Sequence, residues 1–155
     1  MNKINIIKKE DAIYIAGLFD GEGCISLSKS TYLRSRCKTS TYILRARIRM
    51  TDIEIVKWLH KTIGGRFYGL RKVKITHHKP YAEWGVAGKN TVEFLSQIYP
   101  YLKVKKLQTQ VAFEYGKTLK VGTLHRQQLS SNIVLIREEL RNKMLKLNKR
   151  GITIL

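Results

Sequence analysis

The chain has 155 residues, of which 43% are hydrophobic, and this length is enough to bury one core but not two. Its 30 Lys and Arg residues against 11 Asp and Glu residues give a formal net charge of +19 at pH 7. Such a chain repels itself unless a polyanion is its usual partner, so nucleic acid is the expected ligand. The basic residues are not gathered on one amphipathic helix, and no apolar run approaches the roughly 18 residues of a spanning segment, so no membrane partner is expected.

The first predicted element is an apolar helix for which Asp11 is the expected N-cap. One side of this helix, with Ala12, Ile15 and Phe19, would face the core of the chain. On the other side the missing glycine side chains leave room for a second helix backbone to come close. The expected contact surface between two such helices consists of Ile13, Ala16, Gly17, Asp20 and Gly21.

The same helix ends in two acids, Asp20 and Glu22, which alternate with glycines before a β-rich stretch begins. Carboxylates at the C-terminus of a helix oppose its dipole and cost stability. Their presence therefore needs another reason, such as a bound cation.

Two strands are expected next. Ile25 and Leu27 alternate with Ser26 and Ser28, which is the period of a half-buried strand. The polar stretch from Lys29 to Thr41 is expected to form a long hairpin tip or a mobile loop. The second strand has Leu44, Ala46, Ile48 and Met50 on one face and three arginines on the other, namely Arg45, Arg47 and Arg49.

This arginine row could be a solvated sheet face. However, three like charges in a row repel one another, and no acid interleaves with them along the strand. We therefore predict that the row faces DNA, because arginine suits both guanine edges and phosphates.

A helix should follow, with Thr51 as N-cap and Glu54 completing a capping box. Gly64 and Gly65 would end it. The second hairpin alternates from Arg66 to Thr76, with a register shift near Gly69, and returns through Tyr81 to Ala87 with Trp84 and Val86 in the core.

Helices complete the chain. Asn90 should cap the first of them and Pro100 should stop it. The next helix follows Lys105 and would turn Leu107, Val111 and Tyr115 inward. The last one, capped by Ser131, would place Arg137 and other bases on a face that is either solvated or in contact with phosphate.

The predicted fold is therefore α+β, with the order αββαββα followed by extra C-terminal helices in a single domain over residues 1–155. Two hairpins separated by a helix make an antiparallel sheet with helices on one face. The open face would be the basic one, and a β-ribbon fits the major groove of double-stranded DNA. The residues expected to contact DNA are Ser26, Ser28, Lys29, Arg34, Arg36, Lys38, Arg45, Arg47, Arg49, Arg66, Tyr68, Lys72 and Lys74.

The segment from Ile15 to Gly23 resembles the signature of the LAGLIDADG homing endonucleases. Ile15 replaces the first Leu of the signature, Phe19 its Ile, Gly21 its second Ala and Glu22 its second Asp. A later segment, Pro100 to Lys105, is similar to the Pro-aromatic-Leu-x-x-Lys segment of that family. The two segments occur in the order that the family has, and the resemblance implies its saddle-shaped sheet.

The resemblance also implies roles for particular residues. In that family the last acid of the signature, here Glu22, holds divalent metal against the scissile phosphates, commonly with the carbonyl of the preceding residue, here Gly21. The lysine of the second segment, here Lys105, reaches the active site. Asp52 falls where the family often has a polar residue that orders water, although a capping role explains an acid there by itself.

Family members need two signature helices, and this chain contains one. The resemblance therefore implies an intron-encoded, homodimeric enzyme that makes double-strand breaks in a long, near-palindromic DNA target by metal-dependent hydrolysis. Mg²⁺ is the expected cofactor, Mn²⁺ should substitute for it, and Ca²⁺ should bind without supporting cleavage. No small-molecule substrate is expected.

Two other functions would also explain a basic chain. A non-cleaving nucleic-acid binder, such as an intron RNA maturase, often loses an acid from the signature, whereas Asp20 and Glu22 are both retained here. A ribosome-associated protein would account for the charge but not for the glycine stripe. Cys24 and Cys37 form neither a metal-ligand motif nor a disulfide framework, so an intracellular setting is expected, either a prokaryotic cytoplasm or an organelle.

Overall fold

The computed structural model describes residues 3–34, 37–71, 79–119 and 129–149. Within them, the elements follow the predicted order of two hairpins separated by a helix. The bounds are α1 Lys9–Glu22, β1 Gly23–Arg34, β2 Cys37–Met50, α2 Ile53–Ile63, β3 Arg66–Arg71, β4 Tyr81–Ala87, α3 Lys89–Ile98, a short 3₁₀ helix Tyr99–Tyr101, α4 Lys106–Thr118 and α5 Ser131–Leu147. Of the residues expected to contact DNA, Arg36, Lys72 and Lys74 lie outside the described residues.

The four strands form one antiparallel sheet in the order β1-β2-β4-β3. Ile25, Leu44 and Trp84 lie on the face that the helices cover, and each is at most 1% exposed. This sheet confirms the predicted α+β fold. No helix in the described ranges combines the length and the apolar character that a membrane crossing needs.

An aromatic cluster fills the centre of the core. Trp84 is fully buried, and its indole Nε1 donates to the backbone oxygen of Gly64 at 2.8 Å. Its ring lies 4.8 Å from the ring of Phe94, which in turn lies 5.4 Å from that of Phe19 on α1. Edge-on pairs of this kind add to the free energy gained by burial alone. The prediction that Trp84 is a core residue is confirmed.

The starts of the first two helices differ from the prediction. Helix α1 begins one turn earlier than expected, after Lys8, so Asp11 lies in its first turn and is not the N-cap. At α2 the cap is Asp52 rather than Thr51, because Asp52 Oδ1 accepts from the backbone N–H groups of Glu54 and Ile55.

Two later helix starts also shift by one or two residues. Helix α3 follows Gly88, whose positive φ of 61° turns the chain, and Asn90 is already helical. Helix α5 is capped by Ser130 rather than Ser131, since the Ser130 hydroxyl accepts from the N–H of Ile133. Because Ser and Asn are both favoured at the N-cap, residue type alone does not decide which of two neighbouring positions caps a helix.

The first hairpin is longer than the alternating pattern suggested. β1 and β2 pair without a register change from Gly23 opposite Ile48 to Arg34 opposite Cys37. Most of the stretch that was expected to be a hairpin tip or loop is therefore strand, since pairing to a neighbour can extend a polar strand without an apolar face. In the second hairpin, the predicted register shift is confirmed between Tyr68 and Arg71.

The C-terminal helices correct two further predictions. Leu107 is 52% exposed and does not turn inward, whereas Val111 and Tyr115 are buried. Arg137 is buried as well, and its guanidinium donates to the hydroxyl and the backbone oxygen of Thr118, at 3.0 Å each. Arg137 therefore joins α5 to α4 and does not belong to a phosphate-contacting face.

Candidate active site and basic sheet face

The two carboxylates at the end of α1, Asp20 and Glu22, point into different surroundings. Helix α1 continues through Glu22, and β1 begins at the next residue. Glu22 is exposed, and it forms no hydrogen bond or ion pair with any residue that the structure describes. Asp20 is half-buried and turns toward the segment that precedes α4. The two acids of the signature thus have different surroundings.

The Asp20 carboxylate binds three consecutive backbone N–H groups. Oδ2 accepts from Lys103 at 2.7 Å and from Val104 at 3.1 Å, and Oδ1 accepts from Lys105 at 2.9 Å. Although partial burial would raise the pKa of the Asp20 carboxyl, these three donors together with the Lys105 charge lower it below its ordinary value. The charge of Asp20 therefore serves to hold the segment before α4 against the end of α1.

This contact also brings Lys105 to the end of α1. Lys105 is the residue before α4, and its Nζ donates to the backbone oxygen of Asp20. The Asp20 carboxylate thus fixes the backbone of Lys105, and the backbone oxygen of Asp20 holds the Lys105 ammonium group. The Lys105 ammonium and the Glu22 carboxylate consequently lie at the same end of α1, because the ammonium is bound to Asp20 and Glu22 is two residues further along the chain.

Glu22 and Gly21 offer the oxygen donors that Mg²⁺ and Ca²⁺ prefer. Glu22 supplies an exposed carboxylate, and the last carbonyls of a helix have no partner within the helix. In the described part of the chain, no three His, Cys, Asp or Glu side chains are grouped closely enough to hold a metal ion. The donors therefore fit a hard divalent ion, with further ligands required from outside one chain.

The glycine stripe of α1 faces outward. A Cβ atom built at Gly17 or Gly21 would meet nothing within 4 Å, and Ile13 beside them is 48% exposed. Ala16 is different, because it is fully buried in the core of its own chain. The prediction that Ala16 lies at the contact surface is wrong, because its side chain is already covered by other residues of its own chain. Asp20 can lie only at the edge of the predicted contact surface, since its carboxylate already accepts hydrogen bonds from the segment before α4.

The arginine row lies on the uncovered face of the sheet. Leu44, Ala46 and Ile48 are fully buried on the opposite face of β2, as predicted. Cross-strand pairing puts Ser26 and Ser28 of β1 and Arg66 and Tyr68 of β3 on the same face as the arginines. A pocket of about 410 Å³ opens on this face. It is lined by Arg45, Ala46, Arg47, Arg49, Gly65, Arg66, Tyr68, Glu83, Gly85, Val86, Ala87 and Asn90.

One acid missed by the sequence analysis lies within this basic face. Glu83 of β4 is directly opposite Arg49 and accepts a hydrogen bond from its Nε. No acid interleaves with the arginines along β2, as the sequence indicated, but an acid of the neighbouring strand relieves the charge of one of them. The only sequence signal was the isolated acid in β4, which could have been paired with β2 only if the register of the two strands had been known.

Lys29 does not lie on the basic face. Its ammonium contacts Glu138 of α5 at 2.8 Å and lies 5.6 Å from the ring centroid of Tyr42, whose hydroxyl also donates to Glu138. Because Tyr42 is buried on the helix side of β2, Lys29 faces the helices. The prediction that Lys29 contacts DNA is thus corrected: strand alternation puts it on the side opposite Ser28. Arg34 and Lys38 are described only by their backbones, in β1 and β2.

Asp52 is exposed, and its only described role is the N-cap of α2. Asp52 follows the end of β2 that pairs with the start of β1, so it lies at the same end of the sheet as the end of α1. Its cap contacts account for an acid at this position, and a catalytic role for Asp52 stays a prediction.

Comparison with known proteins identifies the class to which this arrangement belongs. The family model for LAGLIDADG endonucleases matches residues 15–122, from the signature helix through α4. The chain belongs to this family, as its resemblance to the signature predicted. None of the curated proteins matches the chain.

Solved structures share the fold at low sequence identity. The homing endonuclease I-CvuI, in complex with the I-CreI target in the presence of Mg, aligns with a TM-score of 0.73 at 20% identity, over 95% of this chain and 88% of that one. The archaeal intron-encoded homing endonuclease I-Vdi141I, complexed with DNA, has a TM-score of 0.70 at 18% identity, over 94% and 89%. For I-SmaMI bound to cleaved DNA, the TM-score is 0.68 at 15% identity, over 90% of this chain but 45% of that one.

Proposed function

We propose that this chain is a homodimeric homing endonuclease, with residues 1–155 as one domain, that cuts both strands of a long, near-palindromic DNA target. Its family contains site-specific DNA endonucleases. The observation that carries the proposal is the position of Glu22, whose carboxylate has no partner among the described residues and lies at the end of a helix whose glycine stripe faces outward. A non-cleaving RNA maturase is not favoured, because the family and the structures with which the chain aligns are those of DNA endonucleases.

Pairing of two α1 helices would complete the site. Gly17 and Gly21 let two backbones approach closely, and two-fold symmetry would bring the two Glu22 carboxylates near each other at the ends of the paired helices. The chain covers only 45% of I-SmaMI, which supports the idea that a second copy supplies the other half. A symmetric pair of sheets would in turn favour a DNA target of near-palindromic sequence.

The reaction would be metal-dependent hydrolysis of phosphodiester bonds. Glu22 and the Gly21 carbonyl would hold the divalent ion, which supplies charge neutralisation and an activated water when it is bound. Lys105 would donate to a phosphate oxygen as negative charge develops there, and its attachment to Asp20 means that little reorganisation is needed. The arginines of β2 would bind the surrounding phosphates and base edges.

Ion preference is part of the proposal. Mg²⁺ would support cleavage, with Mn²⁺ as a substitute, and Ca²⁺ would occupy the site without supporting the chemistry. The I-CvuI complex in the presence of Mg, in which the DNA is not cleaved, and a second I-CvuI complex in the presence of Ca support the use of a divalent ion, while the separate roles of the ions are part of the proposal.

Replacement of Glu22 by Gln tests the site directly. The variant keeps the volume but loses the charge that holds the metal, so cleavage of a selected DNA target should disappear under Mg²⁺ while binding under Ca²⁺ survives. The matched control is Glu10→Gln, an exposed acid in the first turn of the same helix, which should leave both unchanged. Cutting by Glu22→Gln at near the wild-type rate would show that the metal-ligand assignment is wrong.

A further inference from the structure

Arg49 differs from Arg45 on the same sheet face because it is ion-paired with Glu83. Glu83 is 11% exposed in its side chain and lies beneath Arg49, which is 44% exposed. The Arg49 guanidinium also lies 5.3 Å from the ring centroid of Tyr81. By contrast, Arg45, which lies four residues earlier on the same face of β2, is exposed and forms no ion pair with any described residue.

These contacts fix the direction in which Arg49 points. Glu83 occupies Nε on the inner edge of the guanidinium, and the Tyr81 ring limits rotation of its plane. No described residue accepts a hydrogen bond from its two outer nitrogens, Nη1 and Nη2. The outer nitrogens of a fixed guanidinium form a planar fork, which matches the O6 and N7 acceptors of guanine in the major groove. A side chain that is already held loses less conformational entropy when it binds.

The sheet register places this fork near the end of α1. Ile48, the residue before Arg49, pairs with Gly23, which directly follows Glu22. Arg45 lies four residues back along β2, or about 13 Å further from that end at the rise of an extended strand. Any base that Arg49 contacts is therefore closer to the cleaved bonds than one that Arg45 contacts.

We propose that Arg49 is a specificity-determining residue that reads a guanine near the centre of the DNA target, and that Glu83 is the positioning residue that aims it. This inference rests on the proposed function, because it assumes that the sheet face binds DNA. Arg45 contacts phosphate and contributes affinity without base preference. The buried acid in a basic face thus serves recognition and does not oppose it.

The test is selection of bound sites from a randomised duplex library in Ca²⁺, followed by sequencing, with wild type and three variants. Arg49→Lys keeps the charge that faces Glu83, so no buried carboxylate is left unpaired, but it removes the fork. Glu83→Gln keeps the volume and weakens the hold on Arg49. Arg45→Lys is the matched control. Thermal melting establishes that each variant is folded.

The expected result has a positional signature. Arg49→Lys should lose guanine preference by about 5- to 150-fold at one position in each half-site, near the cleavage positions. Glu83→Gln should cause a smaller loss at the same position, and Arg45→Lys should change no base preference.

Two outcomes would overturn the inference while the proposed function stands. One is a folded Arg49→Lys protein with an unchanged preference profile, and this variant decides the matter even if Glu83→Gln does not fold. The other is a folded Glu83→Gln protein that keeps full preference at the position Arg49→Lys affects. A wild-type protein that enriches no sequence would instead refute the proposed function and, with it, the inference.

Discussion

Replacement of Asp20 by Asn tests whether this acid organises the site by its two oxygens. In the folded chain Oδ2 accepts two backbone N–H groups and Oδ1 accepts a third, from Lys105. An asparagine has one acceptor oxygen, so its amide nitrogen would face at least one N–H donor. The variant therefore loses at least one hydrogen bond and places two donors against each other.

The magnitude follows from the number of bonds and their exposure. Hydrogen bonds to a charged group contribute about 1.5–3 kcal/mol each when shielded, but these are open to solvent, so a total loss of about 1–3 kcal/mol is expected. For a chain of this size, that loss lowers Tm by about 3–10 °C. Cleavage should fall as well, because Lys105 is no longer held at the end of α1, while DNA binding should change little.

The matched control is Asp52→Asn. Asp52 uses a single oxygen, Oδ1, to accept both of its cap hydrogen bonds, from Glu54 and Ile55. Asparagine can present the same oxygen and is as good an N-cap as aspartate. Its Tm should therefore stay within about 2 °C of wild type, since the free energy of unfolding is almost unchanged.

The pH dependence gives a second readout. Because the pKa of Asp20 is lowered in the folded chain, its contribution is complete above the ordinary value of 3.8 and is lost as the pH falls through the lower folded value. The gap in Tm between wild type and Asp20→Asn should thus be constant from pH 7 to about 5 and close below about 4. An Asp20→Asn protein with wild-type Tm and cleavage rate at pH 7 would refute this account, as would a gap that persists at low pH.

Three further predictions test separate parts of the molecule. Lys105→Met keeps the aliphatic stem and removes the ammonium, so the single-turnover cleavage rate should fall by roughly 100-fold or more with little change in affinity; an unchanged rate would remove Lys105 from the site. Gly17→Leu should give a folded monomer by light scattering, because the added side chain meets nothing within its own chain, whereas Gly69→Leu, another glycine with open space, should stay dimeric; a dimeric Gly17→Leu would contradict the proposed interface. Lys29→Met should leave the salt dependence of DNA binding unchanged, whereas Arg45→Met should reduce its slope by about one unit; equal slopes for the two variants would count against the face assignments.

The sequence by itself determined which face of β2 is buried. Alternation along β2 was enough to separate Leu44, Ala46 and Ile48 from the arginines, because side chains of a strand point to opposite faces in turn. The signature also identified the two acids and the glycine stripe. Each of these properties depends on a single helix or strand, so the residue pattern within that element is enough to predict it.

Contacts between elements needed the tertiary structure. Arg49 and Glu83 are 34 positions apart, Asp20 and Lys103 are 83 apart, and Lys29 and Glu138 are 109 apart. Periodicity indicates that such a residue faces outward or inward, but it does not contain the strand register or the approach of a distant turn. The different roles of Asp20 and Glu22 arise in this way: both are acids at one helix end, but the folded chain brings three N–H groups to Asp20, whereas no described residue donates to Glu22.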